Sequence, residues 1–102
     1  MRQAGPYKIL VHPPAYQDVR RTSSYLLQEA LQTAEKFERA IAEAFRTICE
    51  APYRWRQEVP GIRIFLVPDL PYKVLYRIQG ERVRILRIVH QRRHPDTWRR
   101  GP

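Results

Sequence analysis

Near its C-terminus the chain reads RVRILRIVHQRRHP, residues 82–95, an apolar run threaded with arginines that ends on a histidine and two more arginines. An imidazole exchanges protons near neutral pH, and a guanidinium grips phosphate or carboxylate with a planar fork. Two chemistries use such a set. Cleavage of a phosphodiester by its own 2′-hydroxyl needs a proton acceptor, a donor for the leaving oxygen, and cations for the charge that grows on phosphate in the transition state. His90 could exchange the proton, Arg63, Arg87, Arg92 or Arg93 could hold the phosphate, and Glu58 could serve as base. Docking without covalent chemistry needs less: Arg82, Arg84, Arg87, His90, Arg92 and Arg93 would form a cationic partner surface. A strand-end histidine is more often a hydrogen-bonded structural residue than a catalyst, so docking is the reading carried forward, with no catalytic residue assigned.

One domain must carry either chemistry, because 102 residues suffice for one core and not for two. The expectation is a single domain over residues 1–102, with residues 1–6 and 96–102 as flexible ends. Arginine supplies 16 of the 19 basic residues, and the net charge is +9. That excess is lopsided: residues 1–52 hold seven bases and six acids, residues 53–102 twelve bases and four acids. An acidic partner for the C-terminal half follows from this imbalance. No run approaches the roughly 18 apolar residues of a membrane span, and the opening MRQAGPYKIL lacks the apolar stretch of a signal peptide. The single cysteine, Cys49, forms neither an internal disulfide nor a metal site by itself. A cytoplasmic protein with no membrane, metal or cofactor is the expectation.

The elements that must position these residues change period along the chain. YKILVH, residues 7–12, predicts a strand stopped by Pro13 and Pro14. From Ala15 to Glu50 there is neither glycine nor proline, and Ala34, Phe37, Ile41, Ala44, Phe45 and Ile48 recur at the spacing of one helical face. Val19, Leu26, Leu27 and Ala30 mark an earlier helix. The joint is placed near Glu29 to Thr33, with Thr33 as a possible N-cap and one long helix as the alternative. YRWRQEVPG after Pro52 reads as a loop, IRIFLV (62–67) as a strand stopped by PDLP, and YKVLYRIQ (72–79) as a strand with Tyr72, Val74, Tyr76 and Ile78 on one face. Gly80 and Glu81 form a hairpin turn into the arginine-bearing strand. By alternation, if Val83 and Ile85 face the helices, His90 and Arg92 leave the opposite face beside Arg82 and Arg84, unless a bulge reverses them. The fold class is α+β: an N-terminal strand, a helical hairpin, then three antiparallel strands. Together they make a four-stranded, mostly antiparallel sheet with helices on one face and an open, basic face opposite.

This order, with PYKVLYRIQGERVRILRIVHQRRHPDTW, resembles the RelE/ParE superfamily of toxins from bacterial type II toxin-antitoxin systems. The residues that carry the resemblance are Pro71 and Tyr72, the pair Tyr76 and Arg77, the Gly80-Glu81 turn, and the apolar run that ends at His90 and Arg93. AEKFERAI at 34–41 is similar to the second helix of that family, and Arg63 with Phe65 stands where its members often carry a basic and an aromatic residue. The resemblance implies a small toxin held inactive by a cognate antitoxin, here an acidic one, in a hetero-oligomer. RelE-like members cut mRNA on the ribosome; ParE-like members poison DNA gyrase. The HxRR ending, followed by an acid and Trp98, looks more ParE-like, and the chain lacks the dense lysine and arginine set of RelE-like nucleases. The resemblance therefore implies a gyrase inhibitor, with a ribosome-dependent endoribonuclease as the alternative. A basic nucleic-acid-binding module without toxicity is a third reading, since the net charge alone would suffice for it.

Overall fold

The computed structural model describes residues 7–92, so Arg93, His94, Trp98 and both expected flexible ends lie outside the described residues. Strand β1 (Lys8–Val11) runs into helix α1 (Pro13–Glu29), whose first residues are the two prolines, tolerated there because the first helical N–H groups have no intrahelical partner. Helix α2 (Leu31–Glu50) follows at once. The break falls at Ala30, which is extended (φ −168°, ψ 138°) and offers no side-chain cap. The cap expected at Thr33 is therefore corrected by three residues, and the helix is not continuous. Thr33 and Ala34 instead donate their backbone N–H groups to the Ala30 carbonyl.

After a short 3-10 turn (Pro52–Arg54) come strands β2 (Gln57–Val59), β3 (Ile62–Leu66), β4 (Tyr72–Gln79) and β5 (Arg82–His90). They form one sheet in the order β1-β5-β4-β3-β2, with β1 parallel to β5 and the other pairs antiparallel. The sheet has five strands where the sequence predicted four. The fifth, β2, lies inside the stretch read as a loop. Pro60 and Gly61 turn it into β3, with Gly61 at φ 84°, the left-handed position a type II turn requires. At the β4–β5 hairpin Gly80, the first of the two turn residues, takes φ 61°, the position at which the type II′ hairpin turn calls for glycine.

The helices lie on one face of the sheet. Phe37, Ile41, Ala44 and Ile48 of α2, with Ala15 of α1, pack on Phe65, Val74, Tyr76, Val83, Ile85 and Ile88. Tyr76 is fully buried and donates its hydroxyl to the Pro52 carbonyl at 2.5 Å, tying the centre of the sheet to the turn after α2. The face away from the helices is not open along its length: Ile64, Leu75 and Val89 are buried there beside Val59 and Ile62.

A bulge in β5 decides where the functional side chains go. Leu75 pairs with Arg87 but Tyr76 with Ile85, so Leu86 is an extra residue. It restores to the helix side the residues that strict alternation would send away: Ile88 joins Val83 and Ile85 in the core, and His90 stands level with Tyr72. The expectation that His90 and Arg92 share a face with Arg82 and Arg84 is thereby corrected.

Candidate functional site

The basic side chains of β5 and the turn after it divide into three environments. Arg87 is the most enclosed, its side chain 16% exposed, and it grips Asp18 of α1 with two parallel bonds, Nε to Oδ2 at 2.8 Å and Nη2 to Oδ1 at 3.1 Å. Asp18 Oδ2 also accepts the backbone N–H of Ile88 at 2.9 Å. β1 pairs with β5 only as far as Ile85, and the Asp18 carboxylate takes over where a neighbouring strand would have accepted the next bond. The hydrogen bond to Asp18 raises the Arg87 pKa, against a smaller opposite push from burial. This guanidinium locks α1 to the sheet and is not free to bind phosphate.

His90 and Arg92 lie at the far end of β5, both exposed. The His90 ring meets Tyr72 edge to face at 5.8 Å, and its Nδ1 accepts the Arg92 backbone N–H at 3.2 Å. Tyr72 in turn stacks edge to face on Phe37. Burial, reinforced by Tyr25 and Glu29, pushes the Tyr72 phenol pKa up, which keeps the hydroxyl protonated. Beside it opens a cleft of about 420 Å³ between Leu26 of α1, Thr33, Lys36 and Phe37 of α2, and Leu70 of the β3–β4 loop.

Arg63 and Glu58 sit elsewhere. Arg63 donates to the Trp55 carbonyl at 2.6 Å and the Tyr53 carbonyl at 3.3 Å, with its guanidinium 5.1 Å from the Tyr53 ring centre, so it pins the chain leading into β2. Glu58 accepts from Arg56 at 3.0 Å. Arg63 is level with Tyr76, four residues along β4 from Tyr72 and two strands from β5. At about 3.3 Å per residue and about 4.8 Å per strand, its Cα lies roughly 16 Å from that of His90. Of the groups considered for phosphodiester cleavage, Arg63, Glu58 and Arg87 do not converge on His90, and only Arg92 among the described residues stands beside it.

The third environment is the outer face near the β4–β5 hairpin. Arg82 is exposed and Arg84 half-buried. Register sets Lys8 of β1 beside Arg82, and Arg77 of β4 beside Arg84. Arg84 Nη1 lies 3.3 Å from His12 Nε2, while Arg84 Nε is buried with no partner among the described residues. Lys8, Arg77 and His12 were missed as members of this group, although alternation along YKVLYRIQ already set Arg77 on the outward side. Asp18 was missed as well; its signal was a lone acid three residues after Ala15, on the inward face of α1.

The structure thus brings together Arg82 with Arg84 at one end and His90 with Arg92 at the other, on opposite faces. The family model for the ParE toxin of type II toxin-antitoxin systems, parDE, matches residues 9–95. No curated protein matches the chain. Among solved structures, a chain of the chromosomal ParDE toxin-antitoxin system from P. aeruginosa superposes with a TM-score of 0.73 at 21% identity, over 84% of this chain and 97% of that one. At that identity the likeness is one of fold.

Proposed function

We propose, from the premise that this chain belongs to the ParE toxin family of type II toxin-antitoxin systems, that it inhibits DNA gyrase and is neutralised by a cognate acidic antitoxin in the cytoplasm. One observation carries the choice of docking over nuclease chemistry: Arg63 and Arg87, the candidate phosphate-binding groups within the sheet, are engaged and set apart from His90. Arg87 is spent on Asp18 and Arg63 on backbone carbonyls, and His90 stands roughly 16 Å from Arg63. Proton transfer requires hydrogen-bond reach, directly or through one water. Inhibition by binding requires only complementary surfaces, and Arg82, Arg84, His90, Arg92 and Arg93 supply cations for them. No helix among the described residues is long and apolar enough to cross a membrane.

The test uses purified protein on gyrase supercoiling and on mRNA with ribosomes. Supercoiling is expected to fall while mRNA stays whole, and His90→Ala is expected to keep both growth arrest and gyrase inhibition. Cut mRNA with untouched gyrase would establish the RelE-like alternative. The adjoining reading frame is expected to encode a short acidic protein, whose co-expression is expected to give a stoichiometric complex that relieves the inhibition; its absence would count against the toxin reading.

A further inference from the structure

The outer face of the sheet near the β4–β5 hairpin carries Lys8 and Arg82 side by side, and one row further along Leu10, Arg84 and Arg77. Ile62, one residue before the Arg63–Tyr76 pair, completes that row beyond Arg77. Neighbours across strands are about 4.8 Å apart and successive rows about 7 Å, so four cations crowd one small patch. None of the four makes an ion pair among the described residues; the ion pairs there belong to Arg21, Arg46, Arg56 and Arg87. Crowded like charges repel, and an anionic partner relieves that repulsion.

The company these cations keep decides between a polypeptide and a nucleic acid. Single-stranded nucleic acid is held by aromatic platforms as well as by charge. Tyr7, Phe65, Tyr72 and Tyr76 all pack on the helix side, and no aromatic side chain of β1, β3, β4 or β5 stands on the outer face. The apolar groups beside the cations there are aliphatic, Leu10 at 42% exposure and half-buried Ile62, while Trp55 lines a separate cleft with Ile64 and Leu66 further along β3. We infer that Lys8, Arg77, Arg82 and Arg84, with the flanking Leu10 and Ile62, form the docking face for an acidic, aliphatic segment of the antitoxin polypeptide, its carboxylates meeting the cations. This rests on the reading of the chain as an antitoxin-bound toxin, and it assigns that partner to the outer face and away from the His90 end.

The experiment measures affinity of the full chain for the short acidic protein expected from the adjoining reading frame. Three proteins are compared: the wild type, Arg77→Glu with Arg82→Glu, and a control with Arg20→Glu and Arg39→Glu on the helices. The sheet pair is expected to lose roughly 100-fold in affinity, since facing like charges replace attraction, and the helix pair less than about threefold. Arg77→Lys with Arg82→Lys is expected to recover most of the loss, and the thermal midpoints to match, which separates docking from folding. Equal losses for the two Glu pairs, or no loss for the sheet pair, overturn the inference while leaving the toxin reading intact. Failure of the wild type to bind that acidic product overturns the toxin reading instead. A second titration with single-stranded DNA is expected to show only weak, salt-suppressed binding; tight DNA binding abolished by the sheet pair would reassign the face to nucleic acid.

Discussion

At the level of single residues, Asp18 ties α1 to the centre of the sheet. It is 3% exposed and serves two bonds of Arg87 and the N–H of Ile88 with one carboxylate. Removing one member of a buried pair strands the other, so Asp18→Ala is expected to cost about 3–5 kcal/mol in urea unfolding. Replacing both partners, Asp18→Leu with Arg87→Met, is expected to cost less than the single change, because neither leaves a buried charge. Tyr76 makes a second, pH-dependent claim. Burial, only partly offset by Arg63, pushes its phenol from 10 to about 12. The folded state therefore holds this proton more tightly than the unfolded chain does. Its contribution is complete below pH 10 and is lost as the pH rises through about 12. A shift of that size corresponds to roughly 3 kcal/mol at most. Stability measured at pH 8 and pH 11.5 is expected to fall steeply in the wild type. In Tyr76→Phe the fall is expected to be shallower, from a start about 1–2 kcal/mol lower because the Pro52 carbonyl loses its donor.

At the level of elements, the joint between α1 and α2 is the clearest open place. Ala30 has the extended backbone of an N-cap and no side chain to cap with, and the first turn of α2 contains no acid. Ala30→Ser or Ala30→Asp is expected to stabilise the chain by about 1 kcal/mol, read as a rise in the urea midpoint at unchanged slope. The same joint shows what the sequence could convey. The stripe from Ala34 to Ile48 identified α2 because burial enforces helical spacing, and the break at Ala30 falls within the expected window from Glu29 to Thr33; an uncapped break with no glycine or proline leaves no local mark, so the cap itself was placed three residues too late. β2 was hidden for a related reason. At three residues it is too short for alternation to register, and it is held by pairing with β3 instead of by its own pattern. The bulge at Leu86 was equally silent, because the surrounding run is apolar on both parities and reads the same in either register. That one unreadable residue moved His90 from one face to the other, which is why β1, β3, β4 and β5 were legible in the sequence and the layout of the site was not.

At the level of the whole molecule, the imbalance read along the chain becomes an imbalance between layers. The helices, Pro13 to Glu50, hold five bases and six acids, whereas β1 together with residues 53–92 holds ten bases and three acids. The protein is a nearly neutral helical layer backed by a strongly cationic sheet. Such a field orients an approaching polyanion before contact is made and raises the encounter rate over the range that salt does not screen. Screening shortens from about 10 Å at 0.1 M salt to about 3 Å at 1 M, less than the thickness of the patch. The association rate with the acidic antitoxin is therefore expected to fall at least about tenfold across that range, while dissociation, governed by contacts already made, changes by only a few-fold. Stopped-flow association and surface dissociation measured on the same complex check both arms. A salt response confined to dissociation would mean that the cations act only after docking. The layered charge would then hold the partner without guiding it.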